Sequence, residues 1–173
     1  MMIAQLLMLA GLLSPFPGTS ADPAAASPQV TGNVAQAVAG VREQSPAITQ
    51  FTSLNGISLD DRKEDVLRKK GKPREVSEDW LLHSTEYHYA DAVVGIRDGY
   101  VYYVHVDPGA MRVQVNDQWL PLDRRTLEQK LGGTQFTAED GDVYVRGHKA
   151  IKVYTNPATG GLRAVELFDE SSQ

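Results

Sequence analysis

Residues 84–106, "STEYHYADAVVGIRDGYVYYVHV", carry the clearest signal for the fold in this sequence. The stretch is rich in β-branched and aromatic residues, and turn residues interrupt it at Ala90–Asp91 and at Asp98–Gly99. An Asp-Gly pair between two such runs is a strong signal for a two-residue β-hairpin. We therefore expect an antiparallel meander with three strands, near residues 84–90, 92–97 and 100–106.

A second stretch of the same kind, "DVYVRGHKAIKVYTNPATGGLRAVEL", occupies residues 142–167. Its turn signals are Gly147–His148 and the segment 156–161. It predicts a second meander, with strands near residues 142–146, 149–155 and 161–168.

The two stretches belong to related units. The segment "GKPREVSED" at 71–79 aligns without gaps on "GGTQFTAED" at 132–140, and Tyr87 and Tyr144 occupy similar places. Neither unit alone could bury much apolar surface, so we expect the two to share one sheet or one core. The predicted fold is α+β, with two tandem helix-plus-antiparallel-meander repeats at residues 55–110 and 111–173.

A short charged segment, "ISLDDRKEDVLRKKGKP" at residues 57–73, begins the first repeat. Its acids gather at one end and its bases at the other, which is the arrangement that the helix dipole favours. Asp61 is the predicted N-cap, with Glu64 three residues later as in a capping box, and Gly71 ends the helix. In the second repeat Asp123 is the predicted N-cap and Gly132 the predicted end of the helix. We therefore interpret the charges as helix ends and predict no nucleic-acid partner.

The first 54 residues are predicted to lie outside the repeats. Residues 1–21 contain an apolar run followed by prolines and small residues, as in a signal peptide. Residues 22–32 form a predicted flexible linker, and residues 33–54 a predicted N-terminal helical segment. We therefore expect a secreted or extracytoplasmic protein with no membrane span in the mature chain.

Composition limits the classes of partner and site that fit this chain. The 173-residue chain has a formal net charge of −5 and a pI of about 5.3, which disfavours a general attraction to nucleic acid. It contains no cysteine, which excludes disulfides, thiol catalysis, thiolate metal sites and a lipid-anchor cysteine. No cofactor is predicted.

The pattern of a leucine, a capping residue, a "KEDV" helix and a "GKP" stop is similar to a motif in two related families. These are the beta-lactamase-inhibitory-protein-like domains and the small outer-membrane lipoproteins of the barrel-assembly machinery (the SmpA/OmlA-like group), which share a helix-then-sheet topology. The tandem arrangement looks more like the duplicated inhibitor. The resemblance implies a secreted bacterial binding module whose sheet face grips a protein, with an inhibitor role as one form of this activity. The matching residues are Leu59, Asp61, Glu64, Val66, Gly71 and Pro73.

Aromatic side chains are the candidate binding residues. Tyrosine is common at protein interfaces because it offers a large apolar area and one hydrogen bond at low entropic cost. Strand alternation places Tyr100 and Tyr102 on one face and Tyr103 on the other. The alternative is that some of these rings pack in the core, and one of Trp80 and Trp119 is expected there. The candidate binding residues are Tyr87, Tyr89, Tyr100, Tyr102, Tyr103 and Trp80.

Catalytic chemistry remains the alternative. Glu86 and His88 share a predicted strand face near His105, but three or four ligands in a recognised spacing are lacking for zinc. A hydrolytic triad assembles in space rather than in sequence, so a small extracellular hydrolase or metal-dependent enzyme stays open. Paired carboxylates could come from Glu78, Asp79, Glu139 and Asp140, whose recurrence is better explained by duplicated turns.

We therefore predict a non-catalytic module that binds an extracytoplasmic protein or a cell-envelope component. The sequence predicts neither the identity of this partner nor the oligomeric state.

Overall fold

The computed structural model describes residues 46–172 as a mixed α+β structure. In this part of the chain, two eight-residue helices accompany an eight-stranded antiparallel sheet and a separate two-stranded hairpin. The predicted α+β class is confirmed. The elements are α1 (Lys63–Lys70), β1 (Glu75–Asp79), β2 (Ser84–His88), β3 (Val93–Arg97), β4 (Tyr100–Val106), β5 (Arg112–Val115), β6 (Gln118–Pro121), α2 (Arg124–Leu131), β7 (Phe136–Ala138), β8 (Gly141–Arg146), β9 (Lys149–Thr155) and β10 (Leu162–Asp169), with 3-10 turns at Pro108–Ala110 and Glu170–Ser172.

The large sheet has the strand order β1-β2-β3-β4-β10-β9-β8-β7. Its first four strands form one meander and its last four strands form another. The two meanders meet where β4 pairs antiparallel with β10, with Val104 opposite Leu167. Each of the six strands that the sequence predicts is present, with its ends within two residues of the expected ones. Strands β1 and β7 and the β5–β6 hairpin were not predicted.

The main hydrophobic core lies on one face of this sheet, which we call the inner face. Helix α1 contributes Val66 and helix α2 contributes Leu127 and Leu131, all fully buried. The segment 48–59 and the β5–β6 hairpin add further buried aliphatic side chains to the same cluster. Both helices are short and only weakly amphipathic, so packing onto the sheet, rather than helix propensity, stabilises them.

Helix α1 begins at Lys63, so the residue before it, Arg62, is in the N-cap position. The prediction of Asp61 as the N-cap is therefore wrong. Arg62 is the N-cap, and Asp65 accepts a hydrogen bond of 3.0 Å from the Arg62 backbone N–H. This bond is the main reason that the pKa of Asp65 is lowered. The Asp61 carboxylate has other partners, because it accepts a hydrogen bond of 2.9 Å from the backbone N–H of Ser58 and pairs with the Lys69 ammonium at 2.6 Å.

The other predicted helix ends are confirmed. The Asp123 carboxylate accepts a hydrogen bond of 2.9 Å from the Thr126 backbone N–H, as an N-cap should. Both helices end at a glycine, Gly71 and Gly132, with φ of +77° and +78°. Only glycine adopts such a backbone conformation at low cost.

Part of the predicted N-terminal organisation lies outside the described residues. This applies to the signal peptide (1–21), the linker (22–32) and residues 33–45 of the helical segment. The rest of that segment, residues 46–54, contains no helix. Between residues 46 and 172, no helix is long and apolar enough to cross a membrane.

Candidate binding surface

The face opposite the helices, the outer face, carries a second and smaller apolar cluster. Tyr103, Val143, Ala150 and Phe168 are buried there, and Tyr102 and Val145 pack against them. All six residues lie on strands β4, β8, β9 and β10. Within residues 46–172, the side chains of the outer face are therefore held in place by one another and not by a helix.

A β-bulge brings two tyrosines to this face. Gly95 pairs with Tyr103, but the next residue of β3, Ile96, pairs with Val101, so Tyr102 is the extra residue of the bulge. The bulge interrupts the alternation, and the Tyr102 and Tyr103 rings lie edge to face with centroids 6.1 Å apart. The prediction that Tyr103 points away from Tyr102 is wrong for this reason.

The Tyr103 side chain reaches from β4 across β3 to β2. Its ring lies directly over Gly95, and its hydroxyl donates a hydrogen bond to Glu86 on β2. Glu86 also accepts a hydrogen bond of 2.9 Å from the Ser77 hydroxyl on β1. The bond from Tyr103 lowers the pKa of Glu86, whereas burial and this carboxylate raise the pKa of Tyr103. Gly95 is thus what lets an aromatic ring reach across β3.

Gly95→Ala should disturb this arrangement. A Cβ atom at position 95 would lie 2.3 Å from the Tyr103 ring, so the ring would have to leave its site. We expect a loss of about 1–3 kcal/mol in the free energy of unfolding, the usual cost of overpacking. Urea denaturation measures this loss, and the near-UV circular dichroism of the tyrosines reports the movement.

The matched control is Gly109→Ala, because a Cβ atom there meets nothing within 4 Å. In a Tyr103→Ala background, Gly95→Ala should cost much less, which a double-mutant cycle detects. Equal costs in both backgrounds would contradict the proposed packing of the ring over Gly95.

A second polar group lies on the neighbouring strands of the outer face. His105 Nδ1 on β4 is 2.9 Å from Glu166 Oε2 on β10, and the Tyr154 hydroxyl on β9 donates to Glu166 at 3.3 Å. The ammonium group of Lys152 lies 4.4 Å from the centre of the Tyr154 ring and 2.8 Å from Asp140. Three strands therefore share one network of paired charges and hydroxyls.

The His105–Glu166 pair should make the stability depend on pH. The hydrogen bond to Glu166 raises the pKa of His105, with a further contribution from Asp107. Because the folded-state pKa is raised, the stabilisation is fully present below the unfolded value of about 6.5 and is lost as the pH rises through the folded value. We expect the difference in unfolding free energy between the wild type and His105→Gln to shrink with rising pH.

Urea denaturation of both proteins between about pH 6 and pH 9 measures this difference. The contributions of the other histidines to the pH dependence are the same in both proteins and cancel in the difference. A difference that stays constant or grows with pH would contradict the role assigned to the pair.

Two of the predicted binding residues face the helices instead. Tyr87 is buried in the main core, with the ammonium group of Lys63 5.8 Å from the centre of its ring. Tyr89 packs against the same core, and its hydroxyl donates to the Gly71 carbonyl at 3.2 Å. The structure therefore places both rings away from the outer face.

Two others are exposed but lie at the end of the sheet. Tyr100 is 45% exposed beside the Asp98–Gly99 turn, and the Arg62 guanidinium lies 4.9 Å from the centre of its ring. Trp80 is 81% exposed in the loop between β1 and β2. Trp119 is also half-exposed, so the expectation that one tryptophan belongs to the core is wrong.

The metal-dependent alternative finds no candidate metal site in residues 46–172. No group of three His, Cys, Asp or Glu residues that could hold a metal ion occurs within the described part of the chain. His105 pairs with Glu166 rather than joining Glu86 and His88. Glu78 and Asp79 end β1, whereas Glu139 and Asp140 connect β7 to β8. Because β1 and β7 are the opposite edge strands of the sheet, the four candidate carboxylates do not converge.

The residues that the structure does bring together define the candidate site, which we call the outer surface. Tyr102 and Tyr103 were predicted, whereas Tyr154, Lys152 and Glu166 were missed. Their only sequence signal was alternation along strands β9 and β10, which does not say which face is left open. The outer surface comprises Glu86, Tyr102, Tyr103, His105, Lys152, Tyr154 and Glu166.

The sequence matches no protein-family model, and no curated protein matches it. Its backbone is similar to an extracellular protein containing a SCP domain from Bacillus anthracis str. Ames, with TM-score 0.48 and 14% identity over 72% of this chain and 51% of that one. It is also similar to a cysteine-rich secretory protein from Staphylococcus aureus, with TM-score 0.45 and 10% identity over 72% and 49% of the two chains. A DUF4309 family protein from Bacillus subtilis gives TM-score 0.45 and 19% identity over 66% and 83%. This chain spans about half the length of the first two structures.

Proposed function

We propose that this protein is an exported binding module that recognises an extracytoplasmic protein or a cell-envelope component through the outer surface, without catalysis. One observation carries the proposal. In residues 46–172, the outer face of a large sheet bears aromatic and polar side chains that no helix covers. Export rests on the apolar run at residues 3–13, and an inhibitor role rests on the family resemblance alone.

The chemistry of the outer surface suits binding. Tyr102 and Tyr154 are half-buried, so part of each aromatic side chain is accessible to a partner. The Arg97 guanidinium stacks on Tyr102 at 3.5 Å from the ring centre, and Lys152 lies over Tyr154. These contacts hold the rings in place before a partner arrives, which lowers the entropic cost of association.

We also infer that the two halves of the chain are tandem copies of one unit, as in the duplicated inhibitor. The ungapped alignment of Gly71 with Gly132 places the first residue of α1 on the first residue of α2. Tyr87 on β2 and Tyr144 on β8 both point into the main core. The two copies would then bury their apolar surface together through the β4–β10 pair.

Pull-down from culture supernatant and cell-envelope extract, followed by mass spectrometry, tests the binding function. The variant Tyr102→Ala/Tyr154→Ala should lose any protein or envelope component that the wild type retains, by at least about tenfold. Tyr100→Ala is the matched control, because it removes a half-exposed tyrosine that belongs neither to the outer surface nor to its apolar cluster. Equal retention by the double variant and the wild type would contradict the placement of the site.

One cluster favours a second candidate function, serine hydrolysis. The Ser77 hydroxyl lies 2.8 Å from His88 Nε2, a distance suited to a nucleophile and its base once the hydroxyl proton turns from Glu86 to the imidazole. The nearby Glu86, however, lies 3.4 Å from the same ring nitrogen, whereas a triad acid orients the base through the other one. Labelling by a fluorophosphonate probe, abolished by Ser77→Ala but not by Ser58→Ala, would favour the hydrolase over the binding module.

A further inference from the structure

The loop between β1 and β2 exposes three consecutive apolar residues, which we call the tip: Trp80, Leu81 and Leu82. The first two are 81% and 70% exposed. The equivalent connection between β7 and β8 needs only Glu139 and Asp140. The apolar residues of the tip are therefore not required to reverse the chain. Their exposure to water is unfavourable in free energy, and a partner that covered them would remove this penalty.

The tip has a defined shape. One carboxylate oxygen of Asp79 accepts hydrogen bonds from the backbone N–H groups of Leu81 at 2.9 Å and Leu82 at 3.1 Å. His83 then adopts a positive φ of +50°, which returns the chain to β2. Because these bonds set the loop conformation in advance, little ordering remains to be done on binding.

A groove of about 510 Å³ lies at the other end of β1, between this strand and α1. Apolar side chains line it, among them Leu67, Pro73 and Val76, the last of which is more than half exposed. The charged residues around these apolar walls are three bases, Lys63, Lys72 and Arg74, and one acid, Glu75, so positive charge is in excess. The groove therefore suits an apolar group that carries negative charge beside it.

The tip has that chemistry, because Glu78 and Asp79 stand directly before Trp80. Tip and groove also lie at the two ends of the same edge strand, separated by roughly 20 Å along its length. Strand β1 is first in the sheet order, so one of its edges has no partner strand within the described residues. A twofold axis beside Ser77 would therefore set the tip of each chain on the groove of the other.

We propose that this protein forms a twofold symmetric dimer in which the tip of each copy inserts into the groove of the other. In this arrangement Trp80 falls opposite Arg74 of the second copy, a favourable cation–π pairing. The same register sets Glu75 opposite Asp79 of the second copy, which weakens direct pairing of the strand edges. The tip and the groove, rather than a continuous ladder of hydrogen bonds, hold the dimer.

Sedimentation equilibrium of the purified full chain tests the dimer. Two small contacts of this kind predict reversible dimerisation in the micromolar range, so concentrations from about 1 to 500 μM cover the transition. Trp80→Ala/Leu81→Ala should weaken the dimer at least about tenfold. Trp119→Ala, which removes a half-exposed tryptophan elsewhere, should leave it unchanged.

Charge reversal supplies a second test that does not depend on the apolar contact. Arg74→Glu and Glu78→Lys should each weaken the dimer, and the chain carrying both changes should recover part of the loss. Circular dichroism checks that each variant is folded. The dimer is independent of the outer surface, so its failure would leave the proposed binding function intact.

Three results would overturn the dimer: a monomer at every concentration, open-ended association, or equal weakening by Trp119→Ala. Binding of a monomeric chain to phosphatidylcholine vesicles, lost in Trp80→Ala/Leu81→Ala, would assign the tip to a lipid surface instead. The net charge of −5 and the acids beside the tip disfavour that outcome for anionic lipid.

Discussion

Replacing Leu127 by alanine is expected to lower the free energy of unfolding by about 3–5 kcal/mol, which is a large share of the total stability of a domain this size. Leu127 is fully buried on the inner face of α2, where it belongs to the main core. The eight-residue helix has few other apolar contacts, since Leu131 is its only other buried residue. A cavity at position 127 would therefore remove about half of the packing that holds α2 to the sheet.

Urea denaturation followed by far-UV circular dichroism measures this change. The matched control is Leu81→Ala, the same substitution at an exposed position, which should shift the free energy by less than about 0.5 kcal/mol. Both measurements belong at a protein concentration low enough to keep the chain monomeric. A loss below about 1.5 kcal/mol for Leu127→Ala would show that α2 does not depend on this contact.

Gly141→Ala is expected to lower the free energy of unfolding by at least about 3 kcal/mol, which is more than overpacking costs at most core positions. A Cβ atom at position 141 would lie 2.2 Å from the Val153 carbonyl oxygen and 3.0 Å from the Tyr154 Cα atom. These are backbone atoms of β9, so no side-chain rotation can relieve the clash. Strand β9 cannot move away without breaking its pairing with β8 and the 2.8 Å hydrogen bond from Thr155 N–H to the Asp140 carbonyl.

Gly133→Ala is the control for this substitution. Position 133 has no atom within 4 Å of an added Cβ and needs no positive φ. Alanine there should be neutral, or slightly stabilising because it restricts the unfolded chain. The comparison of unfolding midpoints in urea separates the steric cost at Gly141 from the general effect of replacing a glycine. Similar midpoints for the two variants would mean that β8 and β9 approach each other less closely than described.

Much of the secondary structure followed from local sequence. The Asp98–Gly99 turn, with φ of +54° and +83°, lies where the Asp-Gly pair predicted it. Asp123 caps α2 as its spacing indicated, but Asp61 does not cap α1. The reason is tertiary: the Asp61 carbonyl accepts a hydrogen bond from Val101 N–H, which ties the approach to α1 to strand β4.

The residues of the candidate site were harder to predict from the sequence than the secondary structure. Alternation along β4 assigned Tyr102 and Tyr103 to opposite faces, because nothing in residues 100–106 alone reveals a bulge. The bulge depends on the register between β3 and β4. The position of the Tyr103 ring depends on Gly95 of the neighbouring strand β3, over which the ring lies. The network at His105 needs Glu166 and Tyr154, which come from later strands.

Local sequence was enough to predict the main strands, the tight turns and the glycine ends of both helices, since these features depend on the conformational preferences of neighbouring residues. The folded chain was needed to see which tyrosines enter the core, which face of the sheet the helices cover, and that the apolar tip beside β1 is exposed. Those outcomes depend on strand register and on packing between residues far apart in the chain, and neither is encoded in any short segment.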